Sequence, residues 1–549
     1  MNFDIKRILT QRVFLFALCT IAIGFGVLAF GLFVHEAYIL PGPWFDDAYM
    51  YIRYAENVNA GKGYCWSYDQ SPIYGCTDVL YVYLIAFSKR VIPAFSYEQI
   101  CIGLPVINYG IFLLVLSFSL IRFCSNGGRL SAFIICALVA VCMTANQNII
   151  YHLFTGMDTI LSLTVNTLLI VSLLALEEKR KLAFAFLAAL MAWLSWTIRP
   201  DNIFYAVLFP VLFMLFRFKG NLKIQATFFG SLLLLFLADL LMKYHYFGEV
   251  LPLSFYVKSS GFFDGYMGEG DWNPLSYLLM FIRYSSVWFL LLIAFAERGK
   301  RDYYAIFFAP LLLTLIYYFS AVQIMGTAAR FYLPSLPFLI FPAVMSVFKR
   351  ESTIPLNGLL KARLVPVSIA IVFLLLAFFA EAPLTSAYSS AFLQNRKPYL
   401  FAKQLQYSSV FPVYTDEYPD FFDLCKKLPA NTLIAASEDG RLAANNPALR
   451  IIDLDGLHEP YFAHHGFSAN WLMNKKPSLI QLAHYNITKV NADIIANEAF
   501  KKDYDFYPNL YTYGVAVLKS DIRTHSIFRN EMHNLFGIDN LETLRAMPR

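Results

Sequence analysis

The chain has 549 residues, of which 58% are hydrophobic, 17% aromatic and only 15% charged, with a net charge of +6. A soluble domain usually carries about a quarter charged residues, so this composition excludes an ordinary water-soluble protein. The small net charge gives no reason to expect nucleic acid as a partner. The apolar residues fall in long blocks that read as bilayer spans, where a helix satisfies every backbone polar group internally.

The first block, Val13 to Val34, follows Lys6, Arg7 and Arg12. It is too long for a signal-peptide core and lacks a small-residue cleavage site, so it reads as a retained anchor with a cytoplasmic N-terminus. A few residues later, Trp44-Phe-Asp-Asp-Ala-Tyr-Met-Tyr-Ile-Arg-Tyr-Ala-Glu-Asn57 predicts a short helix over 48–60, with Asp46 or Asp47 as N-cap and Gly61 as stop. Its apolar side, Ala48, Ile52, Ala55 and Val58, would face the membrane or the bundle. Cys65 and Cys76 follow in the same loop and could pair in an oxidising compartment. No Cys/His spacing resembles a zinc site.

Residues 79–93 hold only about ten apolar residues before Lys89-Arg90, too few for a hydrocarbon core about 30 Å thick. They read as an interfacial helix. Spans are then predicted near 100–121, 130–148, 159–176, 182–197, 203–216, 224–242, 275–296, 303–322, 331–348 and 364–381, eleven with the first. This count places the basic loops 122–129, 177–181, 217–223, 297–302 and 349–363 in the cytoplasm, as the positive-inside rule requires. Asp46-Asp47, Asp158, Arg199-Pro-Asp201, Tyr244–Lys258, Arg330 and the tail from 382 to 549 then lie on the outer side. The tail has ordinary polarity, and Thr432–Ala436 and Leu449–Asp453 read as buried strands of a separate extracytoplasmic α/β domain. Residues 1–381 would form the transmembrane catalytic domain, with 35–99 as its first outer loop.

The chemistry is carried by the outer charges. Asp46 and Asp47 can be a helix cap with a favoured acidic first turn, or a carboxylate base that takes the proton of an attacking sugar hydroxyl. A phosphate leaving group departs as a stable anion and needs no acid, unlike the two-carboxylate arrangement of glycosidases. Asp158 and Asp201 likewise have cap readings at helix starts. Arg199 needs an anionic partner at its depth, and Lys258 or Arg330 could pair with a lipid phosphate or snorkel at the interface.

The ordered motifs resemble the GT-C membrane glycosyltransferases, most closely the mycobacterial terminal arabinofuranosyltransferase family. The resemblance runs through Asp46–Asn57 with Gly61-Lys-Gly63, Tyr74-Gly-Cys-Thr77, Thr155-Gly-Met-Asp-Thr159, Arg199-Pro-Asp201, Leu251-Pro252 with Phe255-Tyr256 and Lys258, and Arg330–Pro334, to Ile451–Leu457 in the tail. It implies an α-helical polytopic GT-C-like fold and an inverting transferase of the bacterial inner membrane, with the first-loop aspartates catalytic. The donor would be a polyprenyl-phosphate-linked sugar, a pentose being one option, and the acceptor a cell-envelope glycan, lipid or protein. Arg53, Tyr54, Asp158, Arg199, Asp201, Tyr256, Lys258, Arg330 and His458 are the substrate-binding candidates. A divalent metal is an open option. Asp158 stands where such proteins commonly hold Glu, and Cys76 and Asp78 depart from the commoner loop pattern, so the sugar is not assigned as arabinose. The competing class is a transporter or flippase, which would place charges near span centres; Asp239 alone does so. A non-catalytic envelope scaffold is a third reading.

Overall fold

The computed structural model describes residues 42–43, 45–67, 71–124, 129–144, 146–259, 274–296, 300–320, 326–348, 421–437, 439–483, 488–508, 510–511, 513–536 and 541. The predicted spans 13–34 and 364–381, the loop 349–363 and the start of the tail lie outside the described residues. In chain order the helices are α1 (Asp46–Asn59), α2 (Val79–Val91), α3 (Tyr97–Ser119), α4 (Arg129–Thr144), α5 (Gln147–His152), α6 (Thr159–Lys179), α7 (Leu182–Ile198), α8 (Phe209–Arg217), α9 (Leu222–Phe247), α10 (Leu253–Ser259), α11 (Pro274–Phe295), α12 (Arg301–Ser320) and α13 (Leu336–Phe348). Each remaining predicted span holds helix among its described residues. The segments Tyr97–Phe123, Thr159–Lys179, Pro200–Arg217, Leu222–Phe247 and Tyr277–Phe295 are long and apolar enough to cross a membrane.

The tail follows as β1 (Leu433–Ala436), α14 (Gly440–Asn445), β2 (Arg450–Asp453), α15 (Pro460–His465), α16 (Ala469–Lys475), β3 (Leu479–Gln481), α17 (Thr488–Ala496), α18 (Glu498–Asp503), β4 (Tyr504–Tyr507), β5 (Val515–Leu518) and α19 (Ile522–Phe536). Both predicted strands are present. The sheet order is β2-β1-β3-β5-β4, with β1 parallel to β2 and β3, and β5 antiparallel to β3 and β4. Ile434, Ala435, Ile451 and Ile452 are buried in its core.

The chain divides into two compact units. One holds Ile102–Ala238 and Trp272–Pro398 with the N-terminal segment; the other holds Tyr38–Cys101, Asp239–Asp271 and Tyr399–Arg549. The first loop and the tail thus belong to one unit.

In the helical unit, α6 and α7 form a hairpin that turns at Arg180, in a left-handed conformation (φ 51°). Ala185, Ala188, Ala189 and Ala192 are fully buried on α7; small side chains at this spacing let helix backbones approach closely. Pro200 disfavours helical geometry at the residue before it, and Arg199 is extended (φ −142°, ψ 108°), so α7 ends there. Asn202 Nδ2 donates to Ser162 Oγ (2.8 Å), Ser195 Oγ to Asn166 Oδ1 (2.6 Å), and Asn166 Nδ2 to the Pro334 carbonyl (2.9 Å). These buried bonds fix the Arg199–Asp201 and Arg330–Pro334 segments against α6.

In the other unit, α2 is 13 residues long, about 20 Å at 1.5 Å per residue, and falls short of a bilayer core. Tyr81, Val82, Ile85 and Ala86 are buried, whereas Tyr83, Phe87 and Val91 form an exposed apolar stripe. Helix α1 ends at Asn59, and Gly61 (φ 76°) supplies the left-handed stop. Its buried residues are not confined to the predicted apolar side: Tyr51, Arg53 and Tyr54 are buried as well. Cys65 and Cys76 are buried and not joined by a disulfide.

Candidate functional site

Neither Asp46 nor Asp47 caps its own helix. The N-cap position is Phe45, without a side-chain bond, which corrects the cap expected from the sequence. The Asp46 carboxylate reaches instead to the tail, where its Oδ2 accepts from Gly440 N–H (2.9 Å) and its Oδ1 from Arg441 N–H (2.8 Å). These are the first two residues of α14. Asp439, at that helix's N-cap position, makes no cap bond through its side chain, so the cap comes from a residue 394 positions away. A Cβ on Gly440 would lie 2.3 Å from the Asp46 carbonyl oxygen and 2.6 Å from Oδ2; only glycine permits this approach. Burial pushes Asp46 up to about 6, outweighing the two N–H donors that favour its anion. Asp47 is half-buried and next along the helix. Successive helical side chains diverge by about 100°, so the two carboxylates serve different directions.

Further along α1, Arg53 is fully buried; its Nε donates to the Trp66 carbonyl (2.8 Å) and its Nη2 to the Leu449 carbonyl (3.0 Å). The Tyr54 hydroxyl meets His458 Nδ1 at 3.1 Å. His458 also stacks on Trp66, ring centroids 4.0 Å apart and nearly parallel at 11°. Gly75 closes this cluster, since a Cβ there would lie 2.3 Å from both His458 Nδ1 and the Tyr54 oxygen. Burial lowers His458 to about 3, so it is neutral near pH 7. Asp453, at the end of β2, accepts from His458 N–H (2.8 Å) and Asp455 N–H (2.7 Å), and burial raises it to about 7. Arg53, Tyr54 and His458, read from the sequence as substrate contacts, are placed as ties between the first loop and the tail.

Tyr256 and Lys258 lie on α10, Tyr256 half-buried and Lys258 exposed. The Tyr256 ring sits 4.5 Å from that of His464, which bonds Glu249 at 2.7 Å. Asp239 pairs with Lys243 one turn on (2.7 Å), and Lys243 lies over the Tyr74 ring (5.4 Å). This i,i+4 spacing was visible in the sequence and explains how an acid is tolerated in that span.

The helical unit brings Asp158, Arg199, Asp201 and Arg330 together. Arg199 grips Asp201 through two bonds, Nε to Oδ1 at 3.1 Å and Nη2 to Oδ2 at 2.6 Å. Tyr318 donates to the same carboxylate. Asp158 Oδ1 lies 3.7 Å from Arg199 Nη1 and 3.6 Å from Arg330 Nη2. Both guanidiniums flank the Phe331 ring, at 5.3 and 5.8 Å. Asp158 occupies the N-cap position of α6 but makes no cap bond; it faces the cations instead. Two arginines and two aspartates balance in charge, as burial demands. Ala328 and Ala329 precede Arg330 with φ of 52° and 55°, a strained left-handed pair costing about 1 kcal/mol per residue. The His152 ring meets the Ala328 carbonyl at 3.2 Å and braces that turn. Tyr318, His152, Trp66 and Gly440 carried no local sequence signal. Among the described residues no three His, Cys, Asp or Glu side chains converge as a metal site.

No protein-family model matches this chain, and no curated protein matches it. Among solved structures, ArnT from Cupriavidus metallidurans bound to undecaprenyl phosphate is similar over 92% of this chain and 98% of its own, with a TM-score of 0.53 at 12% identity. The Archaeoglobus fulgidus oligosaccharyltransferase in its apo form overlaps 91% of this chain and 75% of its own, at 13% identity and a TM-score of 0.44, too low a score to add weight. The ArnT likeness concerns the fold: this chain is a polytopic helical membrane protein of GT-C-like architecture with a C-terminal α/β domain.

Proposed function

We propose that the protein is a membrane glycosyltransferase that moves a sugar from a polyprenyl-phosphate donor to a cell-envelope glycan, lipid or protein acceptor on the extracytoplasmic side. The observation that carries this reading is the fold shared along nearly its whole length with ArnT, whose structure holds undecaprenyl phosphate. The acidic first turn of α1 supplies the chemistry that such a reaction needs. A carboxylate of the Asp46-Asp47 pair takes the proton of the acceptor hydroxyl as its oxygen attacks the anomeric carbon. The bond from that carbon to the phosphate oxygen breaks on the opposite side, and the polyprenyl phosphate leaves with the electron pair, inverting the anomeric centre. General base catalysis of this kind contributes about 10²–10⁴ in rate.

In the loop-and-tail unit Lys258 is proposed as a cation for the donor phosphate and Tyr256 as a substrate contact; in the helical unit Arg330 is the alternative cation, taken by itself. Arg199 and Asp158 support Arg330 within their own cluster. The ordered motifs of the sequence support the finer likeness to terminal arabinofuranosyltransferases and a bacterial inner-membrane location.

The test is lipid and glycan analysis of a strain lacking the protein, complemented with wild type, Asp46→Asn or Asp47→Asn. One sugar unit should disappear with the gene and return with wild type, and at least one variant should fail to restore it while reaching the membrane at normal level. Full restoration by both variants would sink the catalytic assignment. A protein that moves lipid-linked sugars across vesicles without transferring them would be a flippase instead.

A further inference from the structure

The short helix that follows α9 is held by its neighbours rather than by its own length. We propose that His464 and Glu249 are positioning residues that seat α10 on the tail and so set how well the donor is bound; this deepens the glycosyltransferase reading above and rests on it.

Helix α10 has 7 residues, and isolated helices shorter than about 12–15 residues are marginal in water. Its placement therefore depends on what it touches, and three contacts are made within the loop-and-tail unit. At its start, Leu253 N–H donates to the Tyr74 carbonyl of the first loop (2.8 Å). In its middle, the buried Val257 adjoins Gly456 of the tail, where a Cβ would stand 3.4 Å from the Val257 side chain and 3.2 Å from that of Phe462. The third contact is polar and centres on Glu249. Its Oε1 lies 2.7 Å from His464 Nε2 on α15, and the same side chain takes a hydrogen bond from the Tyr256 hydroxyl. The Tyr256 ring rests 4.5 Å from the His464 ring. One carboxylate thus joins the end of α9, the middle of α10 and the tail.

The His464 and Glu249 side chains keep 32% and 26% of their surface exposed. Pairs this exposed shift an equilibrium by no more than about fivefold, too little to decide whether the tail folds. The same shift matters for a two-turn helix with few other contacts. Tyr256 and Val257 turn toward the tail, and Lys258 follows about 200° around the helix from Tyr256. The latch therefore fixes the rotation of α10 about its axis and, with it, the direction of Lys258. The tail then tunes donor binding without supplying a reacting group.

The test uses the purified full chain and the polyprenyl-phosphate sugar identified by the deletion strain. His464→Ala should raise donor KM about threefold to fivefold with kcat within about twofold, the pattern of lost binding rather than lost chemistry. His464→Gln, whose amide nitrogen can take the place of Nε2, should bring KM back near the wild-type value. Glu249→Ala releases both His464 and Tyr256 and should raise KM at least as much. Adding His464→Ala to it should cost nothing more, because the two side chains act through one contact. Hydrogen exchange, which needs no activity, should show the amides of α10 exchanging a few-fold faster in His464→Ala while those of β1, β3 and β5 are unchanged. Unaltered α10 exchange, additive effects of the two alanine variants, or a loss of kcat at constant KM would each overturn the proposal. Faster exchange throughout the tail would overturn it too, by showing that His464 serves the fold of that domain. Should the wild-type chain transfer nothing, the glycosyltransferase reading fails and the donor role with it, while the exchange data still judge whether His464 seats α10.

Discussion

The helical unit and the loop-and-tail unit both bury acids and bases, but they satisfy them by different means. Around Asp158, Arg199, Asp201 and Arg330, charge is answered by charge, with Tyr318 and the Phe331 ring completing the shell. Around Asp46, Asp453 and His458, backbone amides and aromatic stacking do the work, and the imidazole stays neutral. The contrast lies in what other segments bring to each acid. In the helical unit Asp158, although it stands at a helix start, is met by the guanidiniums of Arg199 and Arg330. At the carboxyl ends of parallel strands, turns and helix starts expose main-chain N–H groups, and a carboxylate can be held by them with no cation.

This comparison can be broken experimentally. The largest stability effect should come from Arg199→Ala, which strands Asp201 and leaves Asp158 with one cation; breaking a buried pair costs about 3–5 kcal/mol. The thermal unfolding midpoint in detergent should fall by several degrees, and Arg199→Ala with Asp201→Ala together should recover part of it. A double variant no better than the single one would show that the cluster is not held by mutual charge.

A second measurement concerns pH. Asp453 is raised to about 7, so between its unfolded value near 4 and pH 7 the native state binds more protons, and this group's contribution to stability falls as pH rises. His458 is lowered to about 3, so between about 3 and its unfolded value near 6.5 the unfolded state binds more protons, and its contribution is lost as pH falls. Each slope is about 1.4 kcal/mol per pH unit, and the two oppose one another between about pH 4.5 and 6. Asp453→Asn should therefore make the protein lose stability on acidification through that window, and His458→Gln should make it gain. Tryptophan fluorescence melts would read this through Trp66, which stacks on His458. Equal slopes in both variants would contradict the assigned environments.

The smallest effect is expected from Tyr54→Phe, which deletes one hydroxyl from the cluster and leaves His458 Nδ1 without that partner. A loss of about 1–3 kcal/mol is expected, read as an earlier chemical unfolding midpoint. A variant as stable as wild type would show that stacking on Trp66 alone holds the imidazole.

Much of the fold was legible because its determinants are local. The long apolar blocks could only be helices, the strands read at 432–436 and 449–453 came from short apolar runs near turn signals, and the roughly ten apolar residues before Lys89-Arg90 were too few for a span. The site was legible only as an inventory. Asp46 and Asp158 stand where helices begin, and the cap was the natural local reading, whereas Asp78 does cap its helix, through Tyr81 N–H at 2.8 Å. Nothing in the residue pattern separates these cases, since each is an acid before or at the start of an apolar run.

Composition and periodicity by themselves determined the membrane class, the helical blocks and the presence of a polar α/β tail, because hydrophobic transfer and backbone satisfaction act on neighbouring residues. Tertiary structure alone decided what the acids do. The donors that claim Asp46 are generic main-chain N–H groups 394 and 395 residues away, and a backbone amide leaves no mark in sequence. Only Gly440, whose missing Cβ makes room for the contact, records it there.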